Sequence, residues 1–107
     1  VECMDVYVPA RSYSIVVATS ILEHVRHPWI AVTQFHNALK DDGILVVSVP
    51  WSYPEHDDPI DCWRISQEGM RSLMEPYFDE IECQKLLCGE YAITVYCGRK
   101  NCAKSSG

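Results

Sequence analysis

Two short runs of apolar, β-branched residues constrain the fold of this chain more than any other feature. They are Tyr13–Ala18 (YSIVVA) and Gly43–Val49 (GILVVSV), and each is apolar on consecutive positions rather than on alternate ones. Continuous apolar strands are typical of parallel sheets whose two faces are both covered by helices. The sequence therefore predicts two buried strands of a parallel α/β sheet.

The segment between the two runs predicts a helix over Trp29–Lys40. Pro28 suits a first helical turn, since its missing N–H would have no partner there. Apolar positions follow at helical spacing: Trp29, Val32, Phe35 or His36, and Leu39. Asp41-Asp42-Gly43 then favours a turn that ends the helix. Strand, helix and strand together have the length of one right-handed crossover.

The second half of the chain predicts a loop, a helix and a hairpin. Trp51–Arg64 is rich in proline, aspartate and aromatic residues, which indicates a long ordered loop. Ser66–Met74 reads as a helix with serine at its N-cap. Phe78–Leu87 and Tyr91–Cys97 predict an antiparallel hairpin at a sheet edge, and Asn101–Gly107 a polar tail. The fold class is therefore α/β, resembling the back half of a doubly wound fold.

Charge and hydropathy exclude some functions. Fifteen acidic residues against nine basic ones give a net charge of −6, which argues against nucleic acid as a bulk electrostatic partner. No apolar run approaches the roughly 18 residues that a membrane span requires. The first residues, Val1–Asp5, have neither the basic nor the apolar region of a signal peptide. We therefore expect a cytoplasmic protein.

Six cysteines in 107 residues allow a disulfide framework, but the rich apolar runs argue against one, because such frameworks replace a poor core. Two pairs, Cys83 with Cys88 and Cys97 with Cys102, have four residues between them. Zinc ligands are usually separated by two to four residues. A four-cysteine zinc site is thus the alternative to free thiols in a reducing cytosol.

Three segments resemble, in order, motifs of class I S-adenosylmethionine-dependent methyltransferases of the type 11-like group. Residues 13–25 (YSIVVATSILEHV) resemble the fourth-strand motif F-D-x-V-x-x-x-x-x-L-E-H-V. Residues 39–50 (LKDDGILVVSVP) resemble L-K-P-G-G-x-L-x-x-S-V-P, and residues 56–66 (HDDPIDCWRIS) resemble H-x-x-P-x-D-Y-W-R-F-T. The resemblance implies a partial Rossmann-like fold, S-adenosylmethionine as cofactor and an unidentified methyl acceptor.

The chain also departs from that family. Ser14 replaces the usual aspartate, and no G-x-G motif occurs, since the glycines stand at 43, 69, 89, 98 and 107. We therefore expect residues 1–100 to be the C-terminal part of a methyltransferase domain. The glycine-rich cofactor loop and the first two strands would precede residue 1, and cofactor binding by this chain alone is not expected.

Cofactor and catalytic candidates follow from the resemblance and from the strand ends. If Val1–Asp5 ends the family's third strand, Asp5 lies near the adenine amino group. Thr19 and Ser20 follow the first predicted strand, where open α/β sheets bind ligands. His24 is the candidate general base for an acceptor that carries a proton. The alternative is that Glu23 and His24 cap or brace the next helix.

Candidates for the acceptor pocket lie beyond the same strands: Glu23, Trp51, Tyr53, His56, Trp63 and Arg64. The three aromatic residues after residue 50 could equally form a small cluster within the loop. His56, Asp57, Asp58 and Asp61 are potential metal ligands, but their spacing matches no defined motif and no metal is predicted. Asp61 and Arg64 are better interpreted as an ion pair that fixes the loop.

Two functional hypotheses remain open. The chain is either part of a methyltransferase, active in the complete protein, or a non-catalytic remnant that serves as a binding or structural module. In the family the first strand lies beside the fourth. Without it, residues 13–18 form an apolar edge with unpaired backbone groups, which predicts self-association through this strand.

Overall fold

A computed structural model describes residues 10–52 and 62–101 of the chain. Its elements, in order, are β1 (Tyr13–Thr19), a 3₁₀ helix (Leu22–His24), α1 (Pro28–Ala38), β2 (Leu39–Ser52), α2 (Gln67–Met74), β3 (Phe78–Cys88) and β4 (Tyr91–Lys100). None of the described helices combines the length and the apolar character needed to cross a membrane.

The strands form one four-stranded sheet in the order β1-β2-β4-β3. β1 and β2 are parallel and joined by α1, while β4 runs antiparallel to both β2 and β3. This arrangement confirms the predicted α/β class, with parallel strands, a crossover helix and a C-terminal antiparallel hairpin. β1 and β3 are the two edges of the described sheet.

The boundaries of α1 differ from the prediction. The helix ends at Ala38 rather than Lys40, because Leu39 already has an extended backbone (φ −83°, ψ 143°) and opens β2. The predicted turn lies inside this strand: Asp42 has a φ of 64°, and the pairing of β1 with β2 shifts register nearby. The buried face of the helix consists of Pro28, Ala31, Val32, Phe35 and Ala38.

The second half of the chain matches its prediction more closely. The Ser66 hydroxyl accepts a hydrogen bond from the Gly69 N–H at 3.1 Å, which confirms the predicted N-cap of α2. β4 continues beyond Cys97 because its ladder with β3 extends to Lys100, which pairs with Phe78. Asn101, the first residue of the predicted polar tail, is held to the fold, because its backbone N–H donates to the Tyr77 carbonyl at 2.9 Å.

One hydrophobic core fills the space between the helices and one face of the sheet. It joins strand residues with helical ones: Ala18, Leu45, Val47, Val49 and Tyr96 with Val32, Phe35, Met70 and Met74. On the other face, Ile15 and Val17 are each 60% exposed. The prediction that both strands are buried is therefore wrong for β1, which the described helices cover on one face only.

The described cysteines are free thiols: Cys62 is exposed, Cys83 is buried in β3, and Cys97 is half-buried in β4. Cys97 pairs with Glu82, the neighbour of Cys83, so the two strand thiols lie on opposite faces of the sheet. This arrangement speaks against one shared zinc ion. Burial raises the pKa of the Cys83 thiol, which keeps it protonated.

Candidate functional site

The carboxyl end of β1 turns abruptly into the 3₁₀ helix. Ser20 has a φ of 55°, a left-handed conformation, and its N–H donates to the Ser48 carbonyl of β2 at 2.9 Å. Thr19 and Ser20 are both exposed. The two hydroxyl side chains thus stand at the strand end, and the turn leads directly to Glu23 and His24.

Glu23 is the most deeply buried charged residue of this region, with 1% of its surface exposed. Its Oε2 lies 3.5 Å from Nε2 of His24, whose side chain is 17% exposed. Its Oε1 has no hydrogen-bond partner among the described residues. The N-cap of α1 is His27, which makes no capping bond through its side chain. Glu23 and His24 therefore do not cap that helix, while the other half of the alternative, that they brace its start, stays a prediction.

The backbone of Glu23 instead holds the segment that follows residue 61. Its carbonyl accepts the N–H groups of Cys62 at 2.7 Å and Trp63 at 3.2 Å. The indole N–H of Trp63 donates to the Val25 carbonyl at 2.9 Å. Three hydrogen bonds therefore connect Cys62 and Trp63 to the 3₁₀ helix and to Val25, which directly follows it.

Ile65 fixes the same segment to the sheet. Its N–H donates to the Pro50 carbonyl at 3.1 Å, near the carboxyl end of β2. Its carbonyl accepts the buried hydroxyl of Thr94, on β4, at 2.7 Å. Residues 62–66 are thus connected to three elements, and their side chains have a defined position beside the strand ends.

Trp29 and Trp63 form one wall of a groove. Their ring centroids are 6.2 Å apart in an edge-to-face arrangement, and the groove encloses about 230 Å³. Its other lining residues include Arg64, Ile65 and Leu73. Sequence reasoning missed Trp29, because it treated this residue as part of the buried helix face although it is 51% exposed. Its position directly after Pro28 could have indicated this exposure, because a side chain in the first turn of a helix need not be buried.

Trp51 and Trp63, which both belong to the predicted acceptor pocket, have different neighbours among the described residues. Trp51 lies beneath Lys85, whose Nζ is 3.7 Å from the ring centroid. Trp51 is not among the described residues that line the groove of Trp29 and Trp63.

Arg64 donates from a guanidinium nitrogen to the Trp63 carbonyl at 2.9 Å. Other predicted site residues lie outside the described residues: Asp5, Tyr53, His56, Asp57, Asp58 and Asp61.

Two larger grooves lie away from the strand ends. One, of about 400 Å³, runs between α2 and β3 and is lined by charged side chains such as Glu68, Arg71 and Glu80. The other, of about 460 Å³, lies beside His36 and Tyr77. Within residues 10–52 and 62–101, no three side chains of the metal-ligating types come together.

The described residues do not make a complete site for S-adenosylmethionine. A dinucleotide-like cofactor in this type of fold needs glycines for close backbone approach and an acidic residue for the ribose hydroxyls. Thr19 and Ser20 supply only hydroxyl groups. The described glycines lie elsewhere: Gly43 in β2, Gly69 in α2, Gly89 in the hairpin turn and Gly98 in β4.

Comparison with known proteins places the chain in a family. A family model described as a methyltransferase domain matches residues 2–81. No sequence among the curated proteins matches the chain. The structural matches are 12–14% identical in sequence for the three proteins described next, so they establish the fold alone.

The 1,6-didemethyltoxoflavin-N1-methyltransferase of Burkholderia thailandensis, solved with S-adenosylhomocysteine, is 14% identical with a TM-score of 0.76; the match covers 87% of this chain and 46% of that one. The N-methyltransferase NodS of Bradyrhizobium japonicum, also solved with S-adenosylhomocysteine, is 12% identical with a TM-score of 0.63. The match covers 88% of this chain and 49% of NodS. The [4+2]-cyclase SpnF is 13% identical with a TM-score of 0.71, and the match covers 94% of this chain and 54% of SpnF.

The chain therefore spans about half the length of these structures. The cyclase shows that this fold also serves another reaction, so the fold by itself does not establish the chemistry. The family match covers most of the described residues and agrees with the resemblance carried by the three sequence motifs. The chain belongs to the family of class I S-adenosylmethionine-dependent methyltransferases.

Proposed function

We propose that this chain is the C-terminal part of a methyltransferase that transfers the methyl group of S-adenosylmethionine to an acceptor of unknown identity. The observation that carries the proposal is the family match over residues 2–81. Two structural relatives that bind S-adenosylhomocysteine support the choice of cofactor. The free thiols of Cys62, Cys83 and Cys97 are in keeping with a cytoplasmic location.

Methyl transfer is an in-line displacement, so the acceptor must be held in alignment with the methyl group. The 3₁₀ helix and residues 62–66 provide a rigid wall for this purpose, because hydrogen bonds fix them to β2 and β4. In our proposal Thr19 and Ser20 face the cofactor. Trp63 and Arg64 face the acceptor, and Trp29 joins them as a new member of the pocket.

His24 acts in this proposal as the general base for an acceptor that loses a proton. Its partial burial and the nearby carboxylate of Glu23, 3.5 Å away, support the assignment, since a buried acid can orient an imidazole. In the complete enzyme, His24→Asn should lower kcat by about 10²–10⁴-fold, the usual contribution of a general base. The control is His27→Asn, at an exposed histidine on the same segment. Equal effects of both substitutions would exclude His24 as the base.

Calorimetric titration with S-adenosylmethionine tests the proposed function. The chain of 107 residues should show no binding, because its described residues lack a glycine-rich cradle. The same chain, extended by the sequence encoded upstream of Val1, should bind the cofactor with micromolar affinity. Binding by the short chain would mean that the cofactor site is misplaced. No binding by the extended chain would favour the alternative, a non-catalytic binding or structural module.

A further inference from the structure

We draw no further inference here: the strongest candidate, the apolar groove of about 230 Å³ that Trp29 and Trp63 line between α1, α2 and residues 63–66, belongs to the candidate site already described, and nothing among the described residues shows what covers it.

Discussion

The two edges of the sheet are built in opposite ways. The outer edge at β3 carries charged and polar side chains, namely Asp79, Glu80, Glu82, Gln84 and Lys85, and its pairing with β4 shifts register between Glu80 and Glu82. α2 covers part of it: Gln67 donates from its side-chain amide to the Cys83 carbonyl at 3.2 Å, and Arg71 donates to Glu80 at 2.9 Å. β1 has no charged residue along its length.

This difference predicts that β3 suits the edge of a sheet, whereas β1 suits a position between two strands. Charges, an irregular register and side-chain hydrogen bonds to the backbone are the means by which proteins terminate a sheet. β1 has the apolar sequence of an internal strand, as its consecutive β-branched residues predicted. The two strands therefore differ in the kind of neighbour that their sequences suit.

The prediction with the largest expected effect compares two side-chain truncations, one in each edge strand of the described sheet. Phe78→Ala removes a ring of β3 that is 2% exposed, whereas Val17→Ala removes methyl groups of β1 that are 60% exposed. We expect the first to lower the free energy of unfolding by about 3–5 kcal/mol and the second by less than about 0.5 kcal/mol. Urea denaturation of both variants and of the wild-type chain measures the two losses. A loss above about 1 kcal/mol for Val17→Ala would contradict the exposure of this face of β1.

A second test concerns the close packing of the β3 side. A Cβ added at Gly98 of β4 would lie 2.6 Å from the ring of Tyr96, which is 1% exposed and has no space to move. Gly98→Ala should cost about 1–3 kcal/mol of stability. In contrast, Gly69→Ala in α2 meets nothing closer than 3.4 Å and should stabilise the chain by up to about 1 kcal/mol. Thermal unfolding of both variants measures the two changes in stability. A change of the same sign in both variants would contradict the packing around Gly98.

A third test addresses α2, the helix that covers β3. Ser66→Ala removes the acceptor of the Gly69 N–H, and we expect it to lower stability by about 1 kcal/mol. The control is Ser72→Ala, at an exposed position within the same helix, which should change stability by less than about 0.5 kcal/mol. Equal losses would mean that the hydrogen bond of the N-cap contributes nothing. Proteolysis of β3 should accelerate in the first variant only.

Local sequence patterns predicted the elements that depend on local interactions. The strands, the crossover helix and the Ser66 N-cap each follow from periodicity or capping within a few residues. The patterns failed where a distant partner decides. β4 extends to Lys100 because Phe78 pairs with it, and Trp29 belongs to a groove because Trp63 is tied to Val25. Neither partner lies within the reach of a local pattern.

The site was predictable to a similar degree. The positions of Thr19, Ser20 and His24 follow from the end of β1, since a parallel strand presents its carboxyl end to the ligand side. The burial of Glu23 was not predictable, because it results from the segment at 62–66 that folds over the 3₁₀ helix. The sequence thus predicted where these residues lie relative to β1, but not the burial of Glu23.

The prediction with the smallest expected effect concerns the pH dependence of stability, which should involve the β3 side of the sheet and not β1. His36 of α1 packs against Tyr77 and Phe78 at the start of β3, with ring centroids 5.5 and 5.6 Å away. Burial lowers the pKa of His36 below its ordinary value of 6.5. The hydrogen bond between His36 and the Asn101 carbonyl acts in the opposite direction, whereas the positive charge of Lys100 also lowers this pKa. β1 contains no histidine, aspartate or glutamate.

A lowered pKa means that the unfolded chain binds the proton more readily than the folded one. The contribution of His36 to stability is therefore complete above pH 6.5 and is lost as the pH falls below that value. His36→Gln should flatten the decline of the melting temperature between about pH 6.5 and 5, before most carboxylates titrate. His27→Gln, at an exposed position, should leave that decline unchanged. A slope in His36→Gln as steep as in the wild type would show that β3 is not anchored through a neutral histidine.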